Sequence, residues 1–166
     1  MDPESAVVLR DGSAVRIRSI APEDQDRERR FFHGLSERSR YHRFMQHLHE
    51  LPPGMLRRFT HIDPEREAAL VALVADDIVA VGRYAPDPDS RCAEFALVVA
   101  DALQGKGLGR HLLERLLAGA RAAGYPCLLG RVLDDNREML ELATRLGFVR
   151  EGRSGAEVTL VHRFAK

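Results

Sequence analysis

Three glycines lie within residues 104–110, Gln-Gly-Lys-Gly-Leu-Gly-Arg, between an apolar segment and a segment with helical periodicity. The upstream residues 94–99 are mostly apolar and predict a strand. Downstream, leucines recur at helical spacing at positions 108, 112, 113, 116 and 117. A strand that passes through a glycine-rich turn into a helix directs backbone N–H groups and the positive end of the helix dipole at one point. The turn therefore predicts an anion-binding site.

Two common phosphate-binding loops do not fit this turn. A Walker loop requires Ser or Thr after Gly-Lys to hold magnesium, whereas Gly107 follows Lys106. A dinucleotide-binding loop requires Gly-x-Gly-x-x-Gly after the first strand of a βαβ unit, and this turn lies about two thirds of the way along the chain. The pattern Gln/Arg-x-x-Gly-x-Gly/Ala remains, and Gln104, Gly107 and Gly109 match it.

A second motif follows at residues 136–148, which begin with Asn136 and end in Leu-Gly-Phe. With the turn, this motif makes residues 67–149 resemble the GNAT-type N-acetyltransferases. The resemblance implies that the turn binds the pyrophosphate of the cosubstrate acetyl-CoA through main-chain amides, and no metal is expected. The cofactor-binding residues implied are Leu97, Val98, Val99, Gln104, Gly105, Lys106, Gly107, Leu108, Gly109, Arg110 and Asn136.

The same resemblance gives the strand before the turn a specific role. In the family, a bulge separates this strand from the next parallel strand, and the pantetheine arm fills the gap like an extra strand. Leu97, Val98 and Val99 would then line the arm with their main chain. One of their N–H groups would polarise the thioester carbonyl.

Glu94 is the candidate general base. It is the carboxylate within the apolar strand Cys-Ala-Glu-Phe-Ala-Leu, so we expect burial to raise its pKa. It also resembles the glutamate that several protein lysine acetyltransferases carry in this strand. The alternative is a solvent-facing residue or an ion-pair partner of Arg83 or Arg91.

The general acid has no candidate. Many GNAT enzymes place a tyrosine seven residues after the asparagine that begins this helix, and this chain has Ala143 there. Tyr125 is close in the sequence but not at that position, and we interpret it as structural.

Two further segments narrow the resemblance. Residues 35–44 and 139–143 are similar to the catalytic domain of bacterial Pat-type protein lysine acetyltransferases, and the likeness spans roughly residues 7–150. Those enzymes acetylate a lysine of acyl-CoA synthetases, which implies such a partner here. A small-molecule amine or amino acid as acceptor, and a non-catalytic acyl-CoA-binding sensor module, remain alternatives.

Three arginines follow the first predicted helix. Arg38, Arg40 and Arg43 could recognise the acceptor or the 3′-phosphate of coenzyme A, because arginine suits phosphate geometry. We favour a solvated helix face, as is usual for a run of charges. His47 and His49 are two residues apart and do not share a helix face, so they predict no metal site.

The segment pattern predicts an α/β fold with a mixed sheet. The order β-α-α-β-β-β-α-β-α-β-β, with the first strand at residues 15–20, gives a twisted sheet of about seven strands with helices on both faces, which matches the GNAT arrangement. We expect one domain over residues 1–166, with residues 1–5 disordered.

Charge and cysteine content limit the partners. Lys and Arg number 25, against 25 Asp and Glu, which predicts neither a nucleic-acid nor a membrane partner. The residues that follow Met1 are mixed in polarity, so we expect neither an apolar leader nor a membrane-spanning segment. We therefore expect a cytoplasmic protein in which Cys92 and Cys127 are separate reduced thiols rather than a disulfide. The sequence does not determine the oligomeric state, and a homo-oligomer is one possibility.

Overall fold

The computed structural model describes residues 4–166, and within them eight strands form one mixed sheet. The spatial order is β1-β2-β3-β4-β5-β6-β8-β7. The strands are β1 (Ser5–Val8), β2 (Ala14–Ser19), β3 (Ala68–Val74), β4 (Asp77–Pro86), β5 (Ala93–Val99), β6 (Cys127–Leu133), β7 (Val149–Ser154) and β8 (Glu157–Arg163). Neighbouring strands are antiparallel except β5 and β6, which are parallel.

Five α-helices cover the two faces of this sheet. They are α1 (Gln25–Gly34), α2 (Glu37–Phe44), α3 (Pro53–Thr60), α4 (Leu108–Ala122) and α5 (Arg137–Arg145). Apolar side chains of α1 pack on one face, with α2 and α3 beside them, and those of α4 and α5 pack on the other. The predicted mixed sheet with helices on both faces is confirmed.

Strand β1 was not predicted. Residues 1–3, where disorder was expected, lie outside the described residues, but Ser5 already begins β1 and lies opposite Ile17 of β2. Four residues are too few for a clear alternating pattern. They form a strand because the edge of β2 offers hydrogen bonds, and because Val7 and Leu9 can enter the core.

Helix α4 fixes the position of the glycine-rich turn. Leu112, Leu113 and Leu116 are fully buried against the sheet, and each contributes about 2 kcal/mol of hydrophobic stabilisation. On β4, Gly82 lets the helix come close, since a Cβ there would lie 3.3 Å from a methyl carbon of Leu116. The start of α4 is therefore held rigidly beside the end of β5.

The cysteines are joined, so the prediction of two separate thiols is wrong. Cys92 precedes β5 and Cys127 begins β6, and the parallel register pairs Ala93 with Leu128. This register brings the two Cα atoms within 4.7 Å, a distance that a disulfide spans. Residues 35 apart in the sequence become neighbours only through the pairing of the strands.

Among residues 4–166, no helix is both long and apolar enough to cross a membrane. The same residues contain no group of three or more His, Cys, Asp or Glu side chains that could hold a metal ion.

Candidate active site

Strands β5 and β6 separate shortly after they begin. They pair only at Ala93 with Leu128 and at Glu94 with Leu129. Beyond Glu94, β5 continues along β4 while β6 continues along β8, which opens a gap between the two parallel strands. The predicted bulge is absent, because the β4–β5 register runs from Ala93 to Val99 without a shift.

A glycine accompanies the start of the gap. A Cβ on Gly130 of β6 would lie 2.3 Å from a ring carbon of Phe95, so only glycine lets the Phe95 ring occupy this position. The ring packs edge-on against Phe148, with centroids 5.4 Å apart. The aromatic side chain therefore lies beside β6 at the point where the two strands part.

Strand geometry decides which main-chain groups face the gap. The N–H of Ala100 donates to the carbonyl of Val79 at 2.8 Å, so by alternation Val98 bonds to β4. Leu97 and Val99 then point their N–H and C=O groups toward β6. Of the three residues expected to line the pantetheine arm with their main chain, Leu97 and Val99 have suitable geometry and Val98 does not.

The glycine-rich turn has the backbone of an anion site. Gly105 and Gly107 have φ values of +77° and +93°, which side chains disfavour. Gly107 precedes the first residue of α4, and the N–H groups of Leu108, Gly109 and Arg110 have no acceptor within the helix. The turn therefore presents free main-chain N–H groups at the start of α4, and its binding of the pyrophosphate stays a prediction.

The side chain of Gln104 is used inside the protein. Its amide donates to the Val99 carbonyl at 3.0 Å and to the Ser39 hydroxyl at 3.2 Å. Asp101 accepts hydrogen bonds from Ser36 and Ser39. This network ties the start of α2 to the end of β5, so Gln104 shapes the gap and occupies one of its carbonyl groups.

Asn136 precedes α5 and caps it. Its side-chain oxygen accepts a hydrogen bond from the N–H of Met139 at 3.4 Å, which is the structural role expected at a helix start. Its predicted contact with the cofactor stays a prediction.

Glu94 lies where the gap opens, but not in apolar surroundings. Its neighbours Ala93 and Phe95 point to the opposite face of the sheet, because strand side chains alternate. The Glu94 side chain is 34% exposed and its carboxylate lies 2.8 Å from Nη1 of Arg131. The expectation of burial among apolar groups was therefore wrong, and the ion-pair partner is neither Arg83 nor Arg91.

Sequence reasoning missed Arg131. It comes from β6 and also bonds Asp87, whose pKa burial would raise but which hydrogen bonds from Ser90 and Arg131 hold below its ordinary value. The hydrogen bond to Glu94 raises the pKa of Arg131 and keeps it charged. The available signal was a single charged residue in the apolar segment 127–133.

Beside Glu94, on the face covered by α1–α3, lies a charge cluster of Glu28, Arg43 and Arg83, in which Glu28 is buried and the two arginines are partly buried. Burial raises the pKa of Glu28, although both arginines oppose this. Burial, and then the charge of Arg83, lowers the pKa of Arg43 to about 10. Arg83 lies 4.0 Å from Glu28 and stacks 4.3 Å from the centroid of the Phe59 ring.

The expectation of a solvated arginine face holds only for Arg38, which is exposed. Arg40 donates to the carbonyl oxygens of Phe32 and His33 at the end of α1. The guanidinium of Arg43 lies 4.6 Å from the centroid of the Phe44 ring, and the residue is partly buried beside Arg83 and Glu28. The expectation failed because aromatic rings and free helix carbonyls can hold arginine inside a protein.

Ala143 is completely buried in the core beneath α5, at the position where many GNAT enzymes have a tyrosine. No side chain at 143 reaches the gap. Tyr125 donates its hydroxyl to the Arg66 carbonyl at 2.7 Å and packs edge-on against Tyr84, a structural arrangement.

A model of the acetyltransferase (GNAT) family matches residues 18–148. The chain therefore belongs to the GNAT acetyltransferase family, and the resemblance drawn from the two motifs is confirmed. The protein is an N-acetyltransferase whose acetyl donor is acetyl-CoA.

Known relatives agree with this assignment. Acetyltransferase PA5475 of Pseudomonas aeruginosa is 35% identical over 161 residues, which are 95% of this chain and 87% of that protein. The GNAT domain of S. lividans PAT superposes with a TM-score of 0.90 at 30% identity, covering 97% of each chain. The fold is shared with yncA of Salmonella typhimurium, solved with acetyl-CoA, at a TM-score of 0.74 and 19% identity over 91% of this chain and 94% of that one.

Proposed function

We propose that the protein transfers acetyl from acetyl-CoA directly to a primary amine, and that the acceptor is a lysine side chain of another protein. The observation that carries direct transfer is the position of Glu94, at the point where β5 and β6 part. A carboxylate there lies on the same strand as Leu97 and Val99, whose main-chain groups face the gap in which the family places the thioester.

Each group in the site acts in one step of acetyl transfer. The attacking ammonium must lose a proton, and Glu94 accepts it while Arg131 keeps the carboxylate in place. The amine nitrogen then forms a bond to the thioester carbonyl carbon. An N–H of Leu97 or Val99 stabilises the negative charge on the carbonyl oxygen. As the C–S bond breaks, the nitrogen gives its second proton to solvent and becomes the amide. The leaving thiolate takes a proton from solvent, because Ala143 offers no acid.

A protein acceptor is supported by likeness rather than by a pocket. The chain is similar over almost its whole length to the GNAT domain of S. lividans PAT.

The test is transfer of labelled acetyl groups in a bacterial lysate. Purified protein is incubated with [¹⁴C]acetyl-CoA and lysate, and label is measured in the protein and small-molecule fractions. We expect label on protein, and mass spectrometry should place it on lysine. Label confined to small molecules would contradict the lysine acceptor but not the transferase activity. Binding of acetyl-CoA without transfer to either fraction would instead favour a sensor module.

A further inference from the structure

The two cations of the glycine-rich turn are already ion-paired. Lys106 Nζ lies 2.8 Å from the carboxylate of Asp11, and Arg110 Nε lies 2.7 Å from Glu114. Hydrogen bonds from Lys106, and then from Ser13, hold the pKa of Asp11 well below its ordinary value, so Asp11 is ionised at neutral pH. The side-chain cations of the turn are therefore both held by carboxylates of this chain.

Arg10 is a further cation at the turn, and it lies in the loop between β1 and β2. Its N–H donates to the carbonyl of Lys106 at 3.3 Å, and its Nε lies 3.6 Å from where a Cβ would stand on Gly107. Within residues 4–166, no carboxylate oxygen lies within 4.0 Å of its guanidinium. The side chain is exposed, so it can turn toward a ligand.

The β1–β2 hairpin holds this loop in place. Val7 and Leu9 lie in the same apolar core as Leu108 and Leu112 of α4, and Arg115 of α4 bonds the Ser5 hydroxyl. The hairpin and the start of α4 therefore form one rigid unit, and the Arg10 backbone has a fixed place beside the turn.

We propose that Arg10 binds a phosphate oxygen of coenzyme A, so that the β1–β2 hairpin forms one wall of the cofactor site. A guanidinium matches phosphate geometry through two parallel N–H donors, and an unpaired cation loses no existing ion pair on binding. The pyrophosphate and the 3′-phosphate present the same chemistry to it. The proposal depends on acetyl-CoA as donor and not on the identity of the acceptor.

Calorimetric titration tests this without an acceptor. Dissociation constants for coenzyme A and 3′-dephospho-coenzyme A are compared between the wild type, Arg10→Gln and Arg121→Gln. Arg121 is a matched control because it is exposed at the far end of α4. We expect Arg10→Gln to weaken coenzyme A binding about tenfold, as for loss of one charge-assisted hydrogen bond, and Arg121→Gln to leave it unchanged.

The two ligands identify the phosphate. A loss that disappears with 3′-dephospho-coenzyme A assigns Arg10 to the 3′-phosphate, and an equal loss with both ligands assigns it to the pyrophosphate. The proposal is overturned if Arg10→Gln binds coenzyme A as tightly as the wild type, or if Arg121→Gln weakens binding to the same extent.

Discussion

Single side chains at the gap have roles that their sequence neighbours do not reveal. Glu94 stands among apolar residues in the sequence, yet in the fold it faces Arg131 of the adjacent strand. Lys106 lies in the turn predicted to bind the pyrophosphate, yet its side chain is paired with Asp11. In both cases the partner comes from a different element, so the charge state of the site follows from the packing.

Glu94→Gln should lower the turnover number by roughly 10²–10⁴-fold, because the amide cannot accept the ammonium proton. The dissociation constant for acetyl-CoA should be unchanged, since the side chain lies apart from the glycine-rich turn. Acetylation rates and calorimetry measure the two quantities. Glu65→Gln, an exposed change of the same kind, is the control. A full rate in Glu94→Gln would remove this residue from the mechanism.

Gly107→Ala should weaken coenzyme A binding by about tenfold or more. A side chain at φ +93° costs about 1–2 kcal/mol, and relief of this strain would redirect the N–H groups of the turn. Gly124→Ala is the matched control, with φ +89° at the other end of α4 and open space around it. Both variants should lose similar stability in urea unfolding. Equal dissociation constants for the two would contradict the role of the turn.

Helix α1 and strand β2 are joined by a buried ion pair. Two nitrogens of Arg18 donate to Asp24, whose side chain is only 1% exposed, and the N–H of Ala21 donates to the same carboxylate. Burial raises the pKa of Asp24, but these hydrogen bonds and the nearby arginines outweigh it and hold the pKa below its ordinary value. The pair orients the start of α1, and hence Glu28, over the sheet.

Asp24→Asn should lower the free energy of unfolding by about 2 kcal/mol at pH 7. Because the pKa is lower in the folded protein than in the unfolded chain, the wild-type advantage is complete above about pH 4 and is lost as the pH falls through the folded value. Urea unfolding of both proteins at pH 7 and pH 3 measures this. Asp26→Asn, which removes an exposed ion pair, should change the free energy of unfolding little at either pH. If the wild type and Asp24→Asn differ in free energy of unfolding by the same amount at pH 7 and pH 3, the stabilising role of the ionised Asp24 is contradicted.

Over the whole molecule, the disulfide closes the base of the gap. It joins the two strands directly before Ala93 and Leu128, where their short pairing begins. It therefore fixes where β5 and β6 start to diverge, and it links the first and second parts of the sheet.

Reduction should lower the free energy of unfolding by about 4 kcal/mol, because the bond closes a loop of 35 residues in the unfolded chain. Urea unfolding with and without a phosphine reductant measures this. The double variant Cys92→Ser/Cys127→Ser should be as unstable as the reduced protein and insensitive to the reductant. If the urea midpoint of the wild type is the same with and without the reductant, the disulfide is absent.

Local sequence patterns determined much of this protein. The leucine spacing of α4, the glycines at 105 and 107, and the asparagine that begins α5 each act through contacts within a few residues, so they predicted the family, the mixed sheet and the anion-binding turn. Strand β1 was not predicted, because a four-residue edge strand forms only through hydrogen bonds to the strand beside it.

Only the tertiary structure decided the contacts between distant elements. The pairing of Glu94 with Arg131, the approach of Arg43 to Arg83, the disulfide and the approach of Arg10 to the turn all join residues at least 35 positions apart. Such contacts depend on strand order, register and helix packing, which no short window of sequence contains. The sequence alone thus identifies the family and predicts that this turn binds coenzyme A, and the fold determines which charges surround the turn.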